Sequence, residues 1–272
     1  MDLERFDYGK GFVVKTIFLN DRLKTYQYYL NTALENGYEI CSMVEFYENL
    51  DNGKHFVLRH DVDHMGQATK KMFNTERKMG VHSTYYFRKS TIDVPLMNEM
   101  IDSGFEVGFH YETLSDYAIE NNLSNVSEND IELCRLRLKE EISEFNRLIN
   151  KPVQSIVSHG SNKNFEIGKS NNVLLENQSC SDFGILFEGY DEQIYNSYVD
   201  VHIMDDNIRN NSGFYYSSNP LDAIASGKQN IIFLSHPHHW YKSFFGTCRE
   251  FIALICGRYR PDTPKEFSRI LK

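Results

Sequence analysis

Short apolar runs that end in a polar or charged residue and lead into a helical pattern recur along the chain. That alternation marks a parallel β-sheet whose strands are joined by crossover helices. The runs are FVL at 56–58, VHSTYYF at 81–87, FEVGFHY at 105–111, SIVSHG at 155–160 and NIIFLSHPHHW at 230–240. The unbroken apolar stretch 231–234 suits a strand covered on both faces. Between the runs, the pattern predicts a helix over 65–79 that Gly80 stops. A second helix begins near Pro95, a residue preset for a first helical turn, and ends at Gly104. Ser127 and Asp130 form a capping pair ahead of a third. In it Ile131, Cys134, Leu138, Ile142, Phe145 and Ile149 recur at spacings of three and four before Pro152. Residues 122–130 read as a polar loop, and strands are least distinct between 165 and 218. No repeat, low-complexity stretch or linker divides the chain. Its 272 residues, 41% of them apolar, therefore predict one α/β domain spanning 1–272.

The net charge is −9, with Lys and Arg scattered and no basic run, which argues against a surface that tracks nucleic-acid phosphates. The N-terminal segment mixes acids and bases ahead of a short apolar run that Lys15 interrupts, unlike a secretion signal. No segment approaches the roughly 20 apolar residues of a membrane span. A cytoplasmic protein is expected. Five cysteines without a CxxC spacing indicate neither a disulfide framework nor a Cys-ligated zinc site.

In a parallel α/β barrel the C-terminal strand ends converge on one face. Strands ending at Asp61, Phe87, His110, His159 and His236 would bring the chain's acids and histidines to a single site. Asp61 and Asp63 stand two apart in RHDVDH, so one can bind a cation while the other accepts a proton; the bland alternative is an Asp-rich turn capping the next helix. His110 in GFHYE adds an imidazole, and imidazole with carboxylate is a common ligand set for zinc. In LSHPHHW, Pro237 extends the backbone, so His236 is expected to point inward and His238 and His239 to lie on the rim.

These segments, FVLRHDVDH, STYYF, GFEVGFHYE, SIVSHG and IIFLSHP, resemble in order and spacing the polysaccharide deacetylases. This is the NodB-homology or carbohydrate esterase family 4 group, and the likeness is greatest to its HDVD-containing branch of surface-polysaccharide biosynthesis proteins. The likeness covers about residues 55–245. It implies a distorted seven-stranded (β/α) barrel and one divalent metal, zinc for preference. It also implies a base and a metal ligand in the pair Asp61 and Asp63, taken in that order or reversed, with His236, in the late LxLxH-like motif, as general acid. Where the family places a second metal histidine, four residues after the first, this chain has Leu114. The third protein ligand is then His159, in the place of the family's Arg-Pro-Tyr loop, or Glu112. Asp206 and Arg209 match the branch's late acidic motif. With Arg59, Glu112, Gly160 and Trp240 they are the expected sugar contacts.

The activity implied is hydrolysis of an N-acetyl group on an amino sugar, free or carried on a nucleotide-linked or lipid-linked glycan, in polysaccharide biosynthesis. Backbone N–H groups near Gly160 and Ser161 are candidates to hold the oxyanion. Tyr85, Tyr86, Tyr111 and Trp240 either stack on sugar faces or pack the barrel. Because one family ligand is missing, the competing reading is an inactive, sugar-binding or scaffolding protein on the same fold. The presence of both Asp61 and His236 favours the enzyme.

Overall fold

Among the described residues, eight strands pair in parallel throughout one sheet. They are β1 (Glu39–Cys41), β2 (His55–Val62), β3 (Thr84–Phe87), β4 (Glu106–Tyr111), β5 (Ser155–Ser158), β6 (Phe187–Glu188), β7 (Val201–Met204) and β8 (Asn230–Ser235). The computed structural model describes residues 22–50, 53–64, 66–205 and 219–241. Seven strands follow one path, β6-β5-β4-β3-β2-β8-β7. The short β1 shares an edge of β2 with β3: β1 pairs with its first three residues and β3 with Arg59 to Val62.

Side chains alternate faces along a strand, and β2 shows what this does. Phe56 and Leu58 pack outward with Tyr26 and Leu30 of α1 (Arg22–Glu35). Val57 faces the other way and meets Tyr86, Val157, Phe187 and Ile232, contributed by four other strands. With Cys41 of β1, the cluster touches six strands, which requires the sheet to curl around it, as a half-barrel does. All eight residues of β2 are buried, which is why this strand and β8 read as dense apolar runs.

The crossovers follow the expected chemistry. α3 (Gln67–Met79), after the short α2 (Met43–Glu48), stops at Gly80, whose φ of 70° gives the left-handed cap. α4 (Val94–Asp102) starts one residue before Pro95, and α5 (Thr113–Glu120) follows β4. α6 (Glu128–Ile149) carries the reciprocal Ser127/Asp130 capping box, and all six residues of its predicted stripe are buried. The polar loop therefore ends at its cap, Ser127, three residues earlier than 122–130 implies. Beyond β5 come α7 (Asn162–Ile167), α8 (Glu192–Tyr198), α9 (Pro220–Ala225) and α10 (Pro237–Trp240). Two elements depart from expectation. The strand over 81–87 begins only at Thr84. The indistinct stretch 165–218 supplies two short strands, β6 and β7. Among the described residues no helix is long and apolar enough to cross a membrane.

Candidate active site

The C-terminal ends of β2, β4, β5 and β8 bring Asp61, Asp63, His110, His159 and His236 together. Asp63 Oδ1 lies 3.5 Å from His110 Nε2 and 3.5 Å from His159 Nε2, and its Oδ2 lies 3.6 Å from His236 Nε2. Asp61 Oδ2 is 3.6 Å from His110 Nε2. The two carboxylates separate because Asp61 is still in the strand, on its inner parity, whereas Asp63 lies just beyond it, its N–H bonded to the Asp61 carbonyl at 3.2 Å.

The His110 and His236 rings are aimed by a hydrogen bond at the other nitrogen, whereas His159 Nδ1 makes none as placed. His110 Nδ1 lies 3.0 Å from the Val157 carbonyl, an acceptor, so Nδ1 carries the proton and Nε2 presents its lone pair to the site. His159 follows β5, with its N–H on the Tyr111 carbonyl at 2.9 Å and its own carbonyl accepting from Asn171 Nδ2 at 2.6 Å. Its Nδ1 is 2.9 Å from Glu112 Oε1. His236 donates its backbone N–H to Asp205 Oδ2 at 2.7 Å and places Nδ1 2.8 Å from Asp205 Oδ1.

The residues present fit a divalent metal. Asp63, His110 and His159 each offer one ligand atom, all within 4.8 Å of one another. Asp63 Oδ1 is buried and makes no hydrogen bond, which a structure tolerates poorly unless a cation takes the place of the missing donors. Burial alone pushes the Asp63 carboxyl up. The imidazoles of His110, His236 and His159 outweigh it and hold this group far below the usual carboxylate range. One carboxylate with two imidazoles is a zinc donor set that leaves an open position. A second such group, Asp205 with His236 and His239, lies alongside. There the Asp205 oxygens already accept from the His236 backbone, the His236 ring and Trp240 Nε1, the last at 2.8 Å.

Asp61 is held differently. Arg59 reaches it with Nε at 3.0 Å and a terminal nitrogen at 2.8 Å, and donates its third bond to the Gly189 carbonyl at 3.0 Å. Burial pushes the Asp61 carboxyl up, but Arg59 and then His110 bring it below its ordinary value. Arg59, expected as a sugar contact, is fully buried beneath Asp61, between the rings of Tyr86 and Tyr190. Trp240 is likewise buried, packed on Tyr26 and bonded to Asp205. Tyr85, Tyr86 and Tyr111 are core residues with their hydroxyls on Glu76, Ser155 and Glu188. All four rings are packed in the core.

Glu112 sits outside the trio, clasped by Arg88 at 2.9 and 2.7 Å. Burial pushes its carboxyl up, and His159 and Arg88 together bring it down to about 2. Gly160 is exposed on the rim. The Ser161 N–H is bonded to Asn164 Oδ1 at 3.0 Å and is not free to hold an oxyanion. Asp206 and Arg209 lie outside the described residues. Asp205 is the residue that sequence reasoning missed. The signal was present: an acid one position past VHIM, a strand that pairs with β8, faces the start of LSHPHHW.

No family model matches the chain, and no curated protein matches it. Among solved structures it is similar to a CE4 family pseudoenzyme from Bacillus anthracis, at 14% identity and a TM-score of 0.41, over 68% of this chain and 56% of that one. It is similar to a family 4 carbohydrate esterase from Streptomyces lividans in complex with acetate, at 18% identity and a TM-score of 0.39, over 68% and 80%. A third is a peptidoglycan N-acetylglucosamine deacetylase, at 16% identity and a TM-score of 0.41, over 77% and 85%. The chain thus spans little more than half the length of the first.

Proposed function

We propose that the protein is a metal-dependent hydrolase that removes an N-acetyl group from an amino sugar or sugar conjugate. One observation carries the reading: a buried carboxylate oxygen without a hydrogen bond, Asp63 Oδ1, between the Nε2 atoms of His110 and His159, with Asp61 and His236 adjoining. Asp63, His110 and His159 would hold the ion, zinc for preference. When bound, a divalent ion supplies Lewis acidity towards the acetamide carbonyl and lowers the pKa of water towards about 7.

This chain's own groups then move the protons. Asp61, fixed by Arg59, accepts a proton from the attacking water as the new C–O bond forms. His236 Nε2 delivers a proton to the sugar nitrogen as the C–N bond breaks, leaving acetate and an amino sugar. Asp205 accepts from Nδ1 and so favours the doubly protonated ring that this step needs. Gly160 offers the remaining rim N–H for the oxyanion.

The motif resemblance supports a glycan substrate in polysaccharide biosynthesis. The test is acetate release from free, nucleotide-linked and lipid-linked N-acetyl sugars, with and without zinc. Zinc-dependent release from at least one supports the reading, and no release from any of them, with zinc bound, overturns it.

A further inference from the structure

We infer that Glu112 is a positioning residue that fixes His159 as a metal ligand, with Arg88 holding Glu112 in turn. The inference rests on the metal reading above and adds an outer layer to it. Glu112 follows directly on β4 and occupies the N-cap position of α5, with its side chain turned to Arg88 and His159 rather than to the helix N–H groups. Its Oε1 is 2.9 Å from His159 Nδ1, and both its oxygens are engaged by the Arg88 fork. Arg88 also donates to the Asp63 carbonyl at 3.3 Å, so one ion pair touches the segments that carry two of the three ligands.

His159 Nδ1 is buried and makes no hydrogen bond as placed, and Glu112 Oε1, 2.9 Å away, is an anionic acceptor within reach that favours the tautomer with the proton there. The lone pair is then on Nε2, the atom 3.5 Å from Asp63. Asn171, itself buried, completes the cradle by bonding the His159 carbonyl while its oxygen takes the Leu114 and Ser115 N–H groups of α5. His159 is thereby tied to the helix whose N-cap position Glu112 occupies. A carboxylate already shared between a guanidinium and an imidazole is a poor candidate for a ligand in its own right. An ion pair that served only stability would have no reason to touch Nδ1.

The experiment is zinc titration of the metal-stripped full chain, by calorimetry against a competing chelator, for wild type, Glu112→Ala and Glu112→Gln, with thermal unfolding of each apo protein. Loss of an outer-shell partner typically weakens metal affinity about 10- to 100-fold. Glu112→Ala is expected in that range, and Glu112→Gln, which keeps an oxygen acceptor, nearer the tenfold end, with apo unfolding little changed for Gln. Zinc-edge X-ray absorption should count two imidazoles in wild type and in Glu112→Gln alike. Affinities within twofold of wild type overturn the inference. So does loss of an oxygen ligand with both imidazoles kept, which would make Glu112 a ligand. A wild-type chain that binds no zinc overturns the metal reading itself, a result distinct from a variant that binds as well as wild type.

Discussion

Asp205 grips His236 at two points, the ring Nδ1 at 2.8 Å on one carboxylate oxygen and the backbone N–H at 2.7 Å on the other. Burial pushes the Asp205 carboxyl up, and His239 and His236 outweigh it, so it stays ionised. An asparagine there keeps one oxygen for the backbone N–H and Trp240 but turns an amide N–H₂ towards Nδ1. The ring must then give up its Nδ1 proton. Asp205→Asn is expected to lower turnover by about 10² or more while zinc content holds. Turnover within a few-fold of wild type, measured as initial acetate release, would remove the orienting role.

Glu76 gives a pH dependence with a definite sign. It is fully buried, pairs with His60 at 2.6 Å and accepts from Tyr26, Tyr85 and Ser83. Burial alone pushes its carboxyl up, and His60 and the hydroxyls bring it below its ordinary value. A carboxyl lowered on folding adds stability above its unfolded pKa of about 4.3, and that stability is lost as pH falls. Glu76→Gln should cost about 3 kcal/mol or more at pH 7, because it leaves a buried partner uncompensated. Urea unfolding of both proteins should show the gap narrowing as pH falls below about 5. A gap that is flat with pH contradicts an ionised Glu76.

The strands that carry the site are legible in the sequence because burial on both faces makes each one a dense apolar run. β6 and β7 are not: at two residues and four they are too short to show a periodicity. The choice between His159 and Glu112 also lies beyond sequence. It depends on the pairing of Tyr111 with Ser158, which sets the two side chains against each other with Arg88 on the far side of Glu112. Arg59 and Trp240 read as sugar contacts because of their chemical type. Strand parity turns Arg59 into the barrel, and the helical turn of α10 turns Trp240 onto Tyr26.

Gly108 marks a close strand approach. A Cβ there would lie 2.4 Å from the Tyr86 ring and 2.9 Å from the Ser155 carbonyl oxygen. Tyr86 is fully buried and bonded to Ser155, so neither neighbour yields easily. Gly108→Ala should destabilise by about 1 to 3 kcal/mol in urea unfolding. Because His110 is two residues on, zinc affinity should fall as well. An alanine variant as stable as wild type would mean that β3 and β4 can separate at no cost.

The allocation of base and ligand between Asp61 and Asp63 is the step on which the proposed chemistry depends. Asp61 already has two hydrogen bonds from Arg59, whereas Asp63 keeps an oxygen that makes none, which is why we assign the proposed ion to Asp63. Asp61→Asn preserves shape but removes the proton acceptor. Zinc content should stay near wild type while turnover falls by about 10² or more. Asp63→Asn should instead lose zinc, because tight binding of a divalent cation needs the anionic oxygen. Metal analysis beside acetate release separates the cases. If Asp61→Asn loses the metal and Asp63→Asn keeps it, the roles are exchanged, and Arg59 then braces a ligand rather than a base.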